Sequence, residues 1–179
     1  MSGPGSIPRD LEARLGYKFR DRSLLAEALT HASAQESHNE RLEFLGDAVL
    51  NLVVSDPLFH QFAQDREGRL TELKAYLVAR KTLEEVAERL ELATELQIGG
   101  GLEKRGSVPR SLLGNALEAV LGAIYLDTSG QLDECRRVVN EWLAVEWSTV
   151  EGRQFRRAAK QELQTLAQQQ FGALPTYTV

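Results

Sequence analysis

N-E-R-L-E-F-L-G-D-A-V-L-N-L-V-V, from Asn39 to Val54, carries the period of one long helix with three carboxylates on it, Glu40, Glu43 and Asp47. Each helical residue advances about 100° around the axis, so Glu43 lies about 60° from Glu40 and Asp47 returns to within about 20° of it. The acids share a face. Leu42, Leu45, Val49, Leu52 and Val53 fall on the other side as an apolar stripe for a core. Stacked like charges cost a few tenths of a kcal/mol per pair, on the order of 0.2–0.5. Arg41 points elsewhere, so relief comes either from solvent on a plain acidic face or from a divalent cation on a hard oxygen cluster. Two residues favour more than a solvated face. Gly46 sits mid-helix, where it costs roughly 1 kcal/mol against Ala, which close approach of another backbone would justify. Phe44 is only about 40° from Glu40, where an aromatic has no place in water. It is expected to bury outside this helix's own core.

The chain has 179 residues, 42% hydrophobic and 26% charged, enough for one packed domain and part of another. A single cysteine, Cys135, excludes an internal disulfide and a cysteine-based zinc site. No run of about 18 apolar residues spans a membrane, and Met1–Ser6 lacks a signal-peptide core, so a cytoplasmic protein is expected. The net charge of -5 argues against simple backbone wrapping of nucleic acid. An acidic enzyme that meets phosphates through metal ions is compatible with it.

Almost every segment has helical period, which predicts an all-α fold. Helices are expected over Pro8–Leu15, Asp21–His31, from Asn39 to about Phe62 with a kink or break at Pro57, over Arg69–Ala79, Lys81–Leu92, Ser111–Asp127 and Gln131–Trp147. Ile98–Arg110 holds four glycines and reads as a loop, with Lys104, Arg105 and Arg110 against Glu103. Flexible amides and cations suit phosphate contact, although an ordinary surface loop reads the same way. Ser111–Asp127 is the most apolar helix, yet it carries Asn115 and Glu118 on one face. A covered carboxylate needs a cation, a hydrogen-bond network or a metal. Ser148–Arg153 reads as a linker. The tail from Arg153 has a net charge of +3, a glutamine-rich helix, then P-T-Y-T-V at 175–179 as the start of a strand. One helix and one strand bury no core alone, so the tail reads as the opening of a second, unfinished domain.

Packing the two polar clusters against each other around a divalent ion satisfies both. Oxygen-only donors favour Mg²⁺ or Mn²⁺, and the absence of histidine spacing disfavours zinc.

N-E-R-L-E-F-L-G-D at 39–47 resembles the signature of the ribonuclease III family. L-T-H-A-S at 29–33, E-G-R-L-T-E-L-K-A-Y-L-V at 67–78 and L-E-A-V-L-G-A-I-Y-L-D at 117–127 resemble the family in the same order. K-Q-E-L-Q-T-L-A-Q-Q-Q-F-G-A-L-P-T-Y at 160–177 is similar to the first helix and strand of its double-stranded RNA-binding domain. The resemblance implies an all-helical endonuclease domain over residues 8–150 and an incomplete α-β start of the RNA-binding domain over 153–179. It implies a homodimer that cuts both strands of double-stranded RNA, leaving 5′-phosphate and 3′-hydroxyl ends with a short 3′ overhang, in the processing of ribosomal and other structured precursors. It assigns Glu43, Asp47 and Glu118 to Mg²⁺, with Mn²⁺ as a substitute, and makes Asp47 and Glu118 catalytic. Asn115 stands where the family usually has Asp, so it would ligate with one charge fewer. Glu40 and Glu67 match acids near the cleft that handle substrate, and Gln164 and Gln168 match RNA-contacting glutamines. Phe44 matches the aromatic that enters the partner subunit. A non-catalytic RNA-binding or ribosome-associated member is the alternative, motivated by Asn115 and the unfinished tail.

Overall fold

In the computed structural model, residues 9–103, 108–152, 163, 164 and 168 are described. They are overwhelmingly helical, and the one β-type pairing among them is an isolated parallel bridge between Thr30 and Gln97. The helices run α1 (Arg9–Leu15), α2 (Arg22–Ala28), α3 (Glu40–Gln61), α4 (Glu67–Leu77), α5 (Arg80–Arg89), α6 (Gly100–Glu103), α7 (Arg110–Asp127) and α8 (Leu132–Trp142). No helix among the described residues is long and apolar enough to cross a membrane.

Helix α7 is the axis, and α2, α3, α5 and α8 all pack against it. Its sequence dictates this, since Leu113, Ala116, Leu117, Ala119, Val120 and Ile124 leave no polar face wide enough for solvent and are all buried. The most extensive contact is with α3. Two glycines set its distance. A Cβ on Gly46 would run into the carbonyl oxygen of Glu118, and one on Gly122 into that of Leu42. The helices therefore touch backbone to backbone, which explains a mid-helix glycine at 46. Gly114 plays no such part, because the nearest atom its Cβ would meet is Glu84 Cγ at 3.7 Å, ordinary contact.

The N-terminal segment is fastened to the far end of α7. Asp127 is buried and accepts from the Tyr17 hydroxyl at 2.7 Å, the Arg20 amide at 2.9 Å and the Asp21 amide at 2.8 Å. Burial pushes this carboxyl up, but the three donors outweigh it and hold the group below the usual aspartate range. Asp21 then caps α2 by accepting from the Ser23 amide.

Several expectations are corrected. Helix α3 runs without a break through Pro57, because its buried residues from Val49 to Leu58 hold it against the core on both sides of the proline. Leu52 is 53% exposed and Leu45 only half-buried, whereas Leu50, Val54 and Leu58 are buried. The buried stripe is thus rotated towards α7. Gly68 lies inside α4, and Gly100–Glu103 forms one short helix within the predicted loop. Helix α8 ends at Trp142, whose indole donates to the Leu15 carbonyl at 3.0 Å.

The chain forms two compact units, Met1–Leu143 and Ala144–Val179. In the second, residues 144–152 are helical, so Ser148 and its neighbours are not the extended linker the sequence suggests. Ser148 and Thr149 turn their hydroxyls back to the carbonyls of Ala144 and Val145, which keeps polar residues content inside a helix. The predicted strand at 175–179 lies outside the described residues.

The glycine contact carries a stability prediction. Gly46→Ala should destabilise the protein by about 2 kcal/mol or more, since neither backbone can yield easily. Gly68→Ala, with nothing within 4 Å of its Cβ, should be neutral or stabilising by about 0.5–1 kcal/mol. Urea denaturation of the two variants against wild type measures both; equal effects would contradict the close crossing.

Candidate active site

Glu43 and Asp47 are one turn apart on α3, and Asn115 and Glu118 nearly one turn apart on α7. The Gly46–Glu118 backbone contact brings these turns into register. Glu118 is half-buried, and its carboxyl is pushed up to about 7. Burial is the chief cause, the charges of Asp47 and Glu43 add to it, and Arg80 opposes it. The Glu43 carboxyl is also raised, first by burial and then by Glu40, against a hydrogen bond from Asn115 and the nearby charges of His31 and Arg80. The Asn115 amide on the facing helix thus favours the charged form of Glu43. Asp47 is exposed and accepts from the Asn51 amide at 3.0 Å.

Among the described residues, no three His, Cys, Asp or Glu side chains converge on one point at ligating distance. Asp47 is engaged by Asn51 instead. The donor set nevertheless fits a hard divalent ion. It consists of oxygens, it is held on two helices in backbone contact, and the charges of Asp47 and Glu43 both act on the Glu118 carboxyl. Freeing Asp47 from Asn51 gives up one side-chain hydrogen bond, about 0.5–1.5 kcal/mol.

The other predicted residues distribute differently. Glu40 is exposed on the same face of α3, 3.8 Å from the His38 ring. Glu67 opens α4 and accepts from the Thr71 hydroxyl at 2.8 Å. Arg110 is engaged within the chain, paired with Glu88 at 2.6 Å. Lys104 and Arg105 lie outside the described residues. Gln164 and Gln168 are helical and belong to the second unit. Phe44 is 82% exposed, so nothing in its own subunit covers it. Sequence reasoning missed Asn51, Arg80 and His31. Asn51 follows Asp47 by one turn on the same helix and was readable as an i,i+4 partner. Arg80 and His31 come from other elements and leave no periodic signal.

A family profile described as ribonuclease-III-like matches residues 21–146. The chain belongs to the ribonuclease III family. It is 46% identical to Ribonuclease 3 of Shewanella piezotolerans, over 82% of this chain and 64% of that protein. It is 44% identical to Ribonuclease 3 of Pseudomonas aeruginosa, over 94% of this chain and 73% of that protein. The chain therefore spans about two thirds to three quarters of these relatives. Among solved structures it is similar to the nuclease domain of ribonuclease III from Campylobacter jejuni, with TM-score 0.73 and 42% identity, covering 78% of this chain and 98% of that one. That structure is described for flexibility in the region involved in dimer formation.

The raised Glu118 carboxyl fixes a pH dependence. Its folded pKa lies above the ordinary glutamate value, so between about 4.5 and 7 the folded state holds a proton that the unfolded state has lost. Stability from this group falls as pH rises through that window. In metal-free buffer, Glu118→Gln should gain on wild type from pH 5 to pH 8 by on the order of 1 kcal/mol, after allowance for partial solvent screening. Thermal melts of both proteins across that range check it; a constant gap would contradict the shift.

Proposed function

We propose that Glu43, Asp47, Asn115 and Glu118 hold divalent metal, with Mg²⁺ as the working ion and Mn²⁺ as a substitute, at the cutting site of a homodimeric nuclease. The protein is a double-strand-specific endoribonuclease of the ribonuclease III family. The observation that carries the site is the backbone contact of Gly46 with Glu118, which sets the acid-bearing turns of the two helices side by side.

Divalent metal, when bound, neutralises charge at a phosphodiester and lowers the pKa of an attacking water. The chain's own residues do the rest. Glu43 and Glu118 enter the site partly desolvated, so their negative charge is poorly compensated without a cation. Asn115 would contribute an oxygen, and its amide favours the charged form of Glu43. It carries no charge, so the set is one negative charge short of the family's usual one. Glu40 and Glu67 border the substrate path. Products would carry 5′-phosphate and 3′-hydroxyl ends with a short 3′ overhang, and structured precursors such as ribosomal RNA suit the shape-based reading of duplex RNA. Gln164 and Gln168 are proposed to touch the duplex. The non-catalytic alternative is not favoured, since Glu43, Asp47 and Glu118 are all present.

Dimer formation, described for the Campylobacter jejuni nuclease domain, is proposed here as well. Phe44 projects from α3 in the wall of an open pocket whose apolar lining adds Leu24, Leu42, Leu45 and Leu126 and whose polar lining is Glu27, Glu40 and Arg41. In an isologous pair the same patch meets itself, so each Phe44 finds the partner's pocket. A cytoplasmic location fits this role.

Two experiments test the reading. With Mg²⁺, wild type should convert long double-stranded RNA to short duplexes, Glu118→Gln should lose at least about 100-fold in rate, and Asn115→Asp should reach half-maximal rate at lower Mg²⁺. No Mg²⁺-dependent cleavage by wild type would reject the assignment. Phe44→Asp should shift sedimentation from dimer to monomer; an unchanged dimer would reject the docking of Phe44.

A further inference from the structure

Glu84 on α5 lies against α7. Its Cγ stands 3.7 Å from where a Cβ on Gly114 would be, next in sequence to Asn115, and its side chain is only 16% exposed. Arg80, one turn earlier, meets Glu84 through Nε at 3.4 Å while remaining 69% exposed. The guanidinium is thus tethered at its inner nitrogen and presented to solvent at its outer end. Five N–H donors let one guanidinium serve a carboxylate at Nε and a second anion at its terminal nitrogens. Helix α5 packs on α7, so the Arg80–Glu84 pair lies on the flank of the helix that carries Asn115 and Glu118. The neighbouring cation Arg110 is differently placed, held by Glu88 at 2.6 Å and 2.7 Å.

A surface lined with carboxylates repels a polyanion wherever metal does not screen it, and this chain is acidic overall. A cation at the edge of the cluster corrects this locally. Guanidinium suits the task because its flat fork matches phosphate oxygens. We propose that Arg80 grips a non-bridging phosphate oxygen of the RNA duplex beside the point of cleavage, with Glu84 as its positioning residue. This rests on the nuclease reading above and extends it to a residue off the two site helices. Arg80 itself is 69% exposed, and an ion pair with so exposed a member contributes little to folding, so its replacement should leave the fold intact.

The test is binding of a short blunt RNA duplex in EDTA over a salt series, with thermal melts as the folding control. Arg80→Gln should raise Kd about threefold to tenfold and reduce the magnitude of the log Kd against log salt slope by about one, the signature of one lost phosphate contact. Arg80→Lys should keep most of the slope. Glu84→Gln, which frees the guanidinium without discharging it, should raise Kd less and leave the slope. A wild-type Kd and slope in Arg80→Gln would overturn the proposal. So would unchanged binding together with a lower Mg²⁺ requirement for cleavage, which would mean that Arg80 only screens the acids. Failure of wild type to bind duplex RNA would overturn the nuclease reading itself, and this proposal with it.

Discussion

The carbonyl oxygen of Glu118 rests where a side chain on residue 46 would be. That contact between two backbones is the constraint from which the rest of the structure follows. It forces α3 and α7 closer than side-chain packing alone permits, and the reciprocal contact of Gly122 with Leu42 repeats it one turn away. Close crossing demands glycine, and glycine in a helix interior costs roughly 1 kcal/mol. The apolar wrapping of α7 by α2, α3, α5 and α8 offsets that cost.

Bringing α3 against α7 also brings their polar residues together, and this opposes folding. Glu118 is pushed up to about 7 by burial and by the charges of Asp47 and Glu43. Such an arrangement sacrifices stability for readiness, because the same low-dielectric neighbourhood that raises a carboxyl strengthens its attraction to a cation. Asn115 moderates the conflict. It offers a dipole that favours the charged form of Glu43, while Arg80 on α5 adds a compensating positive charge. Both lower the negative charge that a bound ion or an RNA phosphate meets.

Much of this was legible in the sequence because helical period maps residues to faces. The shared face of Glu40, Glu43 and Asp47, the reason for Gly46, and the poor fit of Phe44 to its own core all follow from angle and residue type. The order of motifs fixed the family. What period could not reveal lies between elements or depends on tertiary support. Pro57 reads as a breaker locally, yet the buried residues around it carry α3 through. Leu52 reads as core and is half in solvent because the buried face turns towards α7. Ser148 reads as linker, but its hydroxyl finds a carbonyl within the helix. Arg110 reads as a cation suited to phosphate contact and is paired with Glu88, on another helix. Arg80 is silent for the same reason: its meaning comes from where α5 lands, not from its neighbours in sequence.

The central claim is that two helices in backbone contact build one cation site. Diffraction from crystals grown with Mn²⁺, collected for its anomalous signal, tests this most directly. The account predicts a peak between α3 and α7, bonded to carboxylate oxygens of residues 43, 47 and 118, with Asp47 released from Asn51. A peak elsewhere, or bound Mn²⁺ that leaves Glu118 outside its coordination, would contradict it.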